Sequence, residues 1–207
     1  MPGELHGCAS CRSAGEKLFL KGERCFSPKC AITRRNYGPG QHGQKGKRKS
    51  EYGVQLSEKQ KVKDIYGIRE RQFRNYFERA IRKEGVTGDV MLATLERRID
   101  NIVYRLGFGS SRREARQLVS HKHFAVNGTL VNIPSQELRV GDVLTVKPAT
   151  LKTQAFQDRL KKIDQKSLPK WVEFDAVKGE AKILALPEAK DIDHQPQMQL
   201  IIEFYSR

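Results

Sequence analysis

The stretch that decides the fold is SRREARQLVSHKHFAVNG, residues 111–128. Its first half predicts a short helix, because Ser111 and Glu114 stand at the spacing of a reciprocal N-terminal cap. The apolar residues that recur at helical spacing and can face a core are Ala115, Leu118 and Val119. The remaining face carries arginines. By itself, such a helix is as consistent with a solvated surface as with a binding site.

The second half of the stretch predicts a β-hairpin. Residues 124–126 alternate as a strand does, Asn127-Gly128 is a residue pair that a tight hairpin turn requires, and residues 130–133 can return beside the first strand. The other short strands expected in the same sheet are residues 138–140 and 143–146, with a turn at Gly141-Asp142. A helix that leads into a hairpin would present its arginines on a rigid support.

The charge of the chain is strongly positive and unevenly distributed. Its formal net charge is +15, and residues 1–120 hold +13 of that total. Neutralisation of phosphates supplies most sequence-independent affinity for nucleic acid, so the asymmetry favours such a partner, engaged mainly by the N-terminal three-fifths. An anionic membrane surface is the competing explanation. Because the sequence shows no long apolar run, signal arrangement or lipidation motif, we expect a cytoplasmic protein without a membrane partner.

Four cysteines lie close together near the N-terminus: Cys8, Cys11, Cys25 and Cys30. Two close pairs separated by a short arm are typical of a zinc site, and four thiolates leave no open position for water. We therefore expect one structural zinc ion. The alternatives are two disulfides, free thiols, an iron–sulfur cluster, or a site in which His6 or His42 replaces a cysteine.

The segment from Arg24 to Ser50 contains eight Lys and Arg and no acid. Its glycines allow close approach of another backbone, and its side chains supply donors for phosphate and ribose. We expect it to be disordered as a free polypeptide and to become ordered by threading into folded RNA, with a flexible, non-specific tail as the alternative. The RNA-binding residues predicted here are Arg34, Arg35, Gln41, His42, Lys45, Lys47, Arg48 and Lys49.

Three helices with apolar stripes are predicted next, at residues 57–65, 69–84 and 87–106. RNA-binding residues predicted on their basic faces are Lys59, Arg69, Arg71 and Arg74. Those predicted in the 111–128 stretch are Arg112, Arg113, Arg116, His121, Lys122, His123 and Asn127. We assign phosphate positioning to the arginines, and base or ribose contacts to Gln41, His42 and Asn127.

The expected fold class is α+β. We predict a mostly helical N-terminal domain with a zinc-bound N-terminal lobe, plus an inserted small α/β RNA-binding module of two helices and a short mixed sheet. The expected divisions are residues 1–44 for the zinc lobe and basic extension, 45–95 for the helical domain, completed by 168–207, and 96–165 for the module. The apolar segments after Pro169 are expected to pack back on the helical domain.

These motifs together resemble a known family. The run SRREARQLVxHxHxxVNG, followed by Gly141-Asp142 and an apolar strand, is similar to the RNA-binding module named after small-subunit ribosomal protein four. Other motifs similar to the bacterial family are the four cysteines, YGPGQHG at 37–43, EKQK at 58–61, YGI at 66–68, RQF at 71–73, LERRIDNIVYRLG at 95–107 and EFYSR at 203–207. The resemblance runs nearly end to end and is weakest from Pro148 to Gln197.

The resemblance implies a protein that binds small-subunit ribosomal RNA at a multi-helix junction in the 5′ region and nucleates subunit assembly. It also implies a neighbour, small-subunit ribosomal protein five, and a position near the path by which mRNA enters, where the pair influences translational accuracy. Some family members lack the cysteines, which implies that zinc supports the N-terminal fold and is not needed for RNA recognition as such. Some relatives also repress their own mRNA.

Two other function classes compete with this one. An RNA-modifying enzyme that carries the same module needs a catalytic domain, but the 60 residues after residue 147 show neither a glycine-rich phosphate loop nor a convincing acid–base pair. A zinc-finger DNA regulator needs a recognition helix directly after the cysteines, where this chain is rich in Gly, Pro and Lys. The sequence therefore favours a structural RNA-binding protein without enzymatic activity.

Overall fold

The computed structural model describes residues 7–45, 48–163, 168–176, 178–192, 194 and 196–206. The chain divides into two compact units. The first unit comprises Met1–Gly88 and Pro196–Arg207, and the second comprises Asp89–Gln195. In the part of the chain that the structure describes, no helix is both long and apolar enough to cross a membrane.

The helices are α1 (Cys8–Ala14), α2 (Ala31–Arg34), α3 (Glu51–Tyr66), α4 (Glu70–Ile81), α5 (Thr87–Glu96), α6 (Ile99–Arg105), α7 (Arg112–Ser120), α8 (Pro148–Leu151), α9 (Gln154–Lys162) and α10 (Met198–Tyr205). The strands are β1 (Phe124–Val126), β2 (Thr129–Val131), β3 (Val143–Val146), β4 (Val172–Asp175) and β5 (Glu180–Ile183). Short 3-10 turns lie at Gly22–Cys25 and Ala189–Asp191.

Local capping sets the length of α3. The helix begins six residues before the predicted start, because the Ser50 side chain accepts a hydrogen bond from the Gly53 amide. It ends at Gly67, which adopts a left-handed conformation with φ of 62°. In α4 the predicted apolar stripe is buried, except that Ile81, at the end of the helix, is exposed.

Helix α10 returns the end of the chain to the first unit. Tyr205 stacks on Phe77 at a ring-centroid distance of 4.7 Å, and Phe204 lies 5.5 Å from the ring of Tyr52. The sequence assigned all of residues 168–207 to the helical domain. The structure places only residues 196–207 in the first unit, and it places β4 and β5 in the second.

A break separates α5 from α6, where the apolar stripe had predicted one continuous helix. Arg98 is extended, with ψ of 139°, and forms a β-bridge with Glu137. The Ile99 amide donates to the Gln136 carbonyl at 3.0 Å, and the Leu138 amide donates to the Arg97 carbonyl at 2.9 Å. These bonds to a distant loop replace helical ones. The strand predicted at residues 138–140 is absent, and the bridge lies just before it, at Glu137.

The sheet of the second unit has five strands in the order β2-β1-β3-β5-β4. All neighbouring strands are antiparallel, so the prediction of a mixed sheet is wrong. Strand β5 pairs with β3, with Thr145 opposite Glu180, and this pairing draws residues 172–183 away from the helical domain. The module is therefore larger than the predicted 96–165 segment.

The helix and hairpin predicted within residues 111–128 are both present. Ser111 Oγ accepts a hydrogen bond from the Glu114 amide at 3.3 Å, whereas the reciprocal carboxylate bond goes to Ser110 instead of Ser111. Asn127 and Gly128 both have positive φ, 49° and 82°, as the predicted two-residue hairpin turn requires. This part of the fold was readable from local chemistry alone.

Phe108 lies at the centre of the core of the second unit. Its ring makes edge contacts with Phe124 at 5.5 Å and with Phe174 at 5.6 Å. The inner face of α7, formed by Ala115 and Val119, is fully buried in the same core. Burial of that face fixes the rotation of α7 and thereby decides where each of its arginines points.

Candidate nucleic-acid interface

A compact loop, residues 37–45, carries three of the predicted RNA-binding side chains. The Arg12 guanidinium on α1 donates through Nε to the Tyr37 carbonyl and through Nη2 to the Gly38 carbonyl, at 2.9 Å each. The same guanidinium lies 4.8 Å from the centre of the Tyr37 ring. Further along, the Lys45 amide donates to the His42 carbonyl at 3.1 Å. We call this segment the clamped loop.

Glycine is required where the clamped loop crosses itself. A Cβ atom on Gly43 would lie 1.9 Å from the Gly38 carbonyl oxygen, a distance that no side chain can adopt. The Gly43 amide closes the turn by donating to the Gly40 carbonyl at 3.2 Å. The structure describes one backbone path for this loop, and the disorder expected of the free chain stays a prediction. Gln41, His42 and Lys45 are exposed on its surface.

The remaining predicted residues of the first unit are exposed, with two exceptions. The exposed residues are Arg34, Arg35, Arg48, Lys49, Arg69, Arg71 and Arg74. Two of these have neighbours, since Lys49 Nζ donates to Ser57 Oγ at 2.9 Å and Arg74 pairs with Glu78 at 3.0 Å. The first exception, Lys47, lies outside the described residues.

Lys59 is the second exception, because only 4% of its surface is exposed. Its ammonium lies 2.7 Å from Glu70 Oε1 and 4.4 Å from the centre of the Phe204 ring. Burial would raise the pKa of Glu70, but hydrogen bonds from Lys59, Tyr205 and Lys63 lower it to about 2. The prediction placed Lys59 on a basic surface; the structure places it inside the first unit, where it neutralises this carboxylate.

On α7 the predicted arginines point in different directions. Arg113 is exposed. Arg112 donates through Nε to Asn101 Oδ1 at 2.9 Å and lies 4.4 Å from the centre of the Tyr104 ring. The Asn101 amide in turn donates to Glu96 Oε2 at 2.8 Å. Arg112 is therefore held against α6 by a chain of buried polar groups.

Arg116 is attached to the same region by another buried acid. Its Nη1 lies 3.3 Å from Asp100 Oδ2, an oxygen that also accepts a 2.6 Å bond from Arg98. Arg98 is completely buried and Asp100 nearly so, whereas 43% of the Arg116 side chain is exposed. Arg116 thus neutralises a buried carboxylate and still presents part of its guanidinium to the outside.

The turn after α7 has two exposed side chains, His121 and Lys122, followed by the half-buried His123. His123 Nδ1 lies 3.0 Å from Thr150 Oγ1, and its ring is 5.8 Å from that of Phe156. Burial lowers the pKa of His123, and the neighbouring positive charges of His121, Lys147 and Arg159 lower it further. These contacts favour a neutral imidazole at physiological pH.

Asn127 uses its side-chain amide to connect two turns of the sheet. Its Nδ2 donates to Asp142 Oδ1, and its Oδ1 accepts from the Val143 amide, each at 2.9 Å. The residue is exposed but its amide is engaged. The structure therefore gives Asn127 a role in holding the hairpin against β3, in addition to the RNA contact predicted for it.

The four cysteines are free thiols on neighbouring elements of the first unit. Cys8 and Cys11 lie on α1, Cys25 ends a 3-10 turn, and Cys30 directly precedes α2. All but Cys8 are buried. Backbone amides donate to the sulfurs, among them the Lys21 amide to Cys25 Sγ at 3.3 Å.

Burial and neighbouring groups shift the pKa of two of these thiols in opposite directions. Burial raises the pKa of Cys11, and the charges of Cys25, Cys8 and Cys30 raise it further. Burial acts in the same direction on Cys30, but hydrogen bonds from Ile32 and Thr33 outweigh it and lower the pKa of that thiol. Among the described residues, no three His, Cys, Asp or Glu side chains are arranged to hold a metal ion. The proposed alternative ligand His6 lies outside those residues.

Arg12 is the main residue of this surface that the sequence analysis missed. It stands directly after Cys11, and nothing in the local pattern indicates that it reaches a loop 25 residues further along the chain. Asn101 was missed for the same reason. Its partners Glu96 and Arg112 are brought to it by the helix break, which the sequence did not reveal.

Comparisons with known proteins show the family of this chain. Residues 5–96 match the family model described as "Ribosomal protein S4/S9 N-terminal domain", and residues 97–144 match the "S4 domain" model. The protein "Small ribosomal subunit protein uS4" of Syntrophomonas wolfei subsp. wolfei is 54% identical over 201 residues, which cover 97% of this chain and 96% of that protein. Proteins of the same name from Pelotomaculum thermopropionicum and Heliobacterium modesticaldum are 52% and 53% identical, with the same coverage. The chain belongs to the uS4 family of small ribosomal subunit proteins.

Proposed function

We propose that this protein is a structural RNA-binding component of the small ribosomal subunit that binds small-subunit ribosomal RNA directly. The observation that carries the proposal is a set of exposed cations whose side chains have no acidic partner within the described residues. These cations are Arg34, Arg35, Lys45, Arg48, Arg69, Arg71, Arg113 and Lys122. In a chain of charge +15, cations that are not neutralised internally are available for phosphates.

The two kinds of exposed side chain have different tasks in this proposal. Arginines on helices have fixed positions and bind phosphates in fixed register, which orients the RNA without reading its sequence. Gln41 and His42, on the clamped loop, can bond ribose hydroxyls and unstacked bases, which are the groups that distinguish RNA from DNA. Lys59 is excluded from the interface because it is buried, and Arg112 because it is bound to Asn101.

The location and the absence of catalysis follow from the family. The relatives are named as proteins of the small ribosomal subunit, which is cytoplasmic in bacteria, and this agrees with the cytoplasmic location expected from the sequence. Proteins of this name are structural components of the ribosome and not enzymes. We therefore assign no reaction to this chain.

The finer placement within the subunit rests on the sequence resemblance. In this proposal the RNA site is a multi-helix junction in the 5′ region, and binding there nucleates assembly. Small-subunit ribosomal protein five is the neighbour, close to the path by which mRNA enters, and the pair influences translational accuracy. Chemical cross-linking of assembled subunits would test the protein neighbour, and a cross-link to another region only would contradict it.

Binding to a transcript of the 5′ region of small-subunit ribosomal RNA tests the central proposal. If about six to ten phosphates are neutralised, the affinity should fall by about 10³ to 10⁵ between 50 and 200 mM salt. Duplex DNA of equal length, measured at the same salt concentrations, is the control for non-specific attraction. Equal affinity for the two nucleic acids, or an association that salt does not weaken, would contradict the proposal.

We also propose that one zinc ion is held by Cys8, Cys11, Cys25 and Cys30. The support is their spacing and the backbone amides that donate to the sulfurs, which lower the pKa of the Cys30 thiol. Bound zinc would cross-link α1 to the segment before α2 and contribute folding free energy. The four thiolates leave no open position for water on the zinc ion, so the role of the ion is structural.

Metal analysis tests the zinc proposal. Protein purified under reducing conditions should contain one zinc ion per chain, and Cys30→Ser should lose it. Ser13→Ala, an exposed change on α1, is the matched control and should retain the metal. Wild-type protein without stoichiometric zinc would contradict the proposal.

A further inference from the structure

The Arg12 guanidinium makes two hydrogen bonds and one ring contact within the first unit. Nε and Nη2 donate to the carbonyls of two consecutive residues, Tyr37 and Gly38, at 2.9 Å each, and the guanidinium plane lies over the Tyr37 ring. The residue is half-buried. It therefore differs from Arg69 and Arg71 of the same unit, which are exposed.

The geometry of this contact requires arginine. The planar guanidinium presents donors in a rigid fork, which can bond two neighbouring carbonyls at once and stack on an aromatic ring. A lysine ammonium would keep the charge, but it lacks both the fork and the plane. The contact thus depends on shape as well as on charge.

The contact lies at the base of the clamped loop. Beyond Gly38 the chain turns back on itself so tightly that Gly43 must lack a side chain, and two backbone hydrogen bonds hold the turn. Gln41 and His42 are exposed at its tip. Without the guanidinium, the contacts described for residues 37–45 leave two backbone hydrogen bonds to hold the turn, and water competes for both.

We propose that Arg12 is a positioning residue for RNA recognition, which orders the clamped loop before RNA arrives and makes no contact with RNA itself. The inference rests on the proposed function, since it names the residue that prepares part of the same surface. A loop that is already ordered loses less conformational entropy when RNA binds. Its affinity for RNA is higher for that reason. The position of Arg12 next to Cys11 connects the loop to the cysteine-bearing helix α1.

Hydrogen exchange of the free protein tests the ordering step without any RNA. In wild-type protein the amides of Gly43 and Lys45 should be protected, because they bond the Gly40 and His42 carbonyls. Both Arg12→Ala and Arg12→Lys should lose this protection. Arg24→Ala, which removes an exposed cation from the same lobe, should keep it. Unchanged protection in both Arg12 variants would overturn the inference.

The salt dependence of RNA binding tests whether Arg12 acts indirectly. Arg12→Ala and Arg12→Lys should weaken binding by about ten- to a hundredfold, with no change in the slope of log affinity against log salt. Lys45→Ala, the reference for a direct phosphate contact, should reduce that slope by about one. A reduced slope in Arg12→Ala, or normal affinity in Arg12→Lys, would show a direct contact and overturn the inference.

A double-mutant cycle gives a further test. If Arg12 acts through the loop, Arg12→Ala should add little to the loss caused by Gln41→Ala with His42→Ala, because the loop has already lost its contacts. Full additivity would overturn the inference. Absence of RNA binding by wild-type protein would instead overturn the proposed function, and the exchange measurement would still decide whether Arg12 orders the loop.

Discussion

Helices α4 and α7 carry similar arginine patterns and use them in opposite ways. At the start of α4, Arg69 and Arg71 are exposed, and the buried side chains of the helix are apolar or aromatic. At the start of α7, Arg112 and Arg116 instead reach back to the buried polar residues Asn101 and Asp100 of α6. The difference lies in the neighbouring helix and not in the arginines themselves.

The break between α5 and α6 explains this difference. It buries Arg98, Asp100, Asn101 and Glu96, and buried charges must be paired or hydrogen-bonded to be tolerated. Arg112 and Arg116 are the nearest long cations of α7, so they complete the network. Lys59 shows the same principle in the first unit, where the carboxylate of Glu70 recruits it from a predicted basic surface. A cation held by an acceptor inside its unit supports the fold, and an exposed cation without such an acceptor remains available for a ligand.

The largest expected effect comes from removing the acid that Arg98 and Arg116 share. Asp100→Ala should lower the free energy of unfolding of the second unit by about 3–5 kcal/mol, because it leaves the fully buried Arg98 without its carboxylate. Asp158→Ala, a change to an exposed residue of α9, should alter it by no more than about 0.5 kcal/mol. Chemical denaturation measures both. A similar small change in the two variants would show that the network is not needed for stability.

The two arginine helices should differ by a smaller but measurable amount. Arg112→Ala should destabilise the second unit by about 1.5–3 kcal/mol, because Asn101 loses a hydrogen bond to a charged group. The matched variant Arg71→Ala should leave the stability within about 0.5 kcal/mol of wild type, since its side chain is exposed. Thermal unfolding of the two variants side by side gives the comparison. Equal losses would remove the distinction between inward and outward arginines.

The smallest expected effect concerns Glu70 and acid pH. The folded protein holds the pKa of this carboxyl at about 2, below its ordinary value of 4.5, so its contribution to stability is complete above pH 4.5 and is lost as the pH falls toward 2. Solvent screens this partly exposed group, which limits the contribution to about 1 kcal/mol. Glu70→Gln should remove that part of the acid destabilisation.

Glu78→Gln is the control for Glu70→Gln, because it removes an exposed carboxylate from the same helix, α4. Its stability should follow the wild-type curve between pH 4.5 and 2. If both variants show the same pH dependence, the buried cation Lys59 gives Glu70 no special role.

Local chemistry allowed much of the second unit to be predicted. The cap at Ser111 and the turn at Asn127-Gly128 depend on residues close in sequence, so they could be read directly. The pairing of β5 with β3 joins segments more than 30 residues apart, and short apolar runs do not specify their partner. Neither that pairing nor the extent of the sheet could be predicted from the sequence.

The candidate interface was predictable as a composition but not residue by residue. The excess of cations in the first 120 residues correctly indicated a surface rich in exposed arginine and lysine. Which cations turn inward depends on acceptors brought near by tertiary packing, such as the half-buried Glu70 carboxylate for Lys59 and the buried Asn101 amide oxygen for Arg112. Arg12 was missed for the opposite reason, since it belongs to no motif and yet bonds a loop 25 residues further along the chain.

The salt dependence of RNA binding in two variants tests whether outward arginines bind phosphates and inward arginines do not. Affinity for a transcript of the 5′ region of small-subunit ribosomal RNA is measured at several salt concentrations for wild type, Arg69→Ala with Arg71→Ala, and Arg112→Ala. We expect the outward pair to reduce the slope of log affinity against log salt by about two, and Arg112→Ala to leave it unchanged. A reduced slope in Arg112→Ala, together with an unchanged slope in the outward pair, would contradict the account.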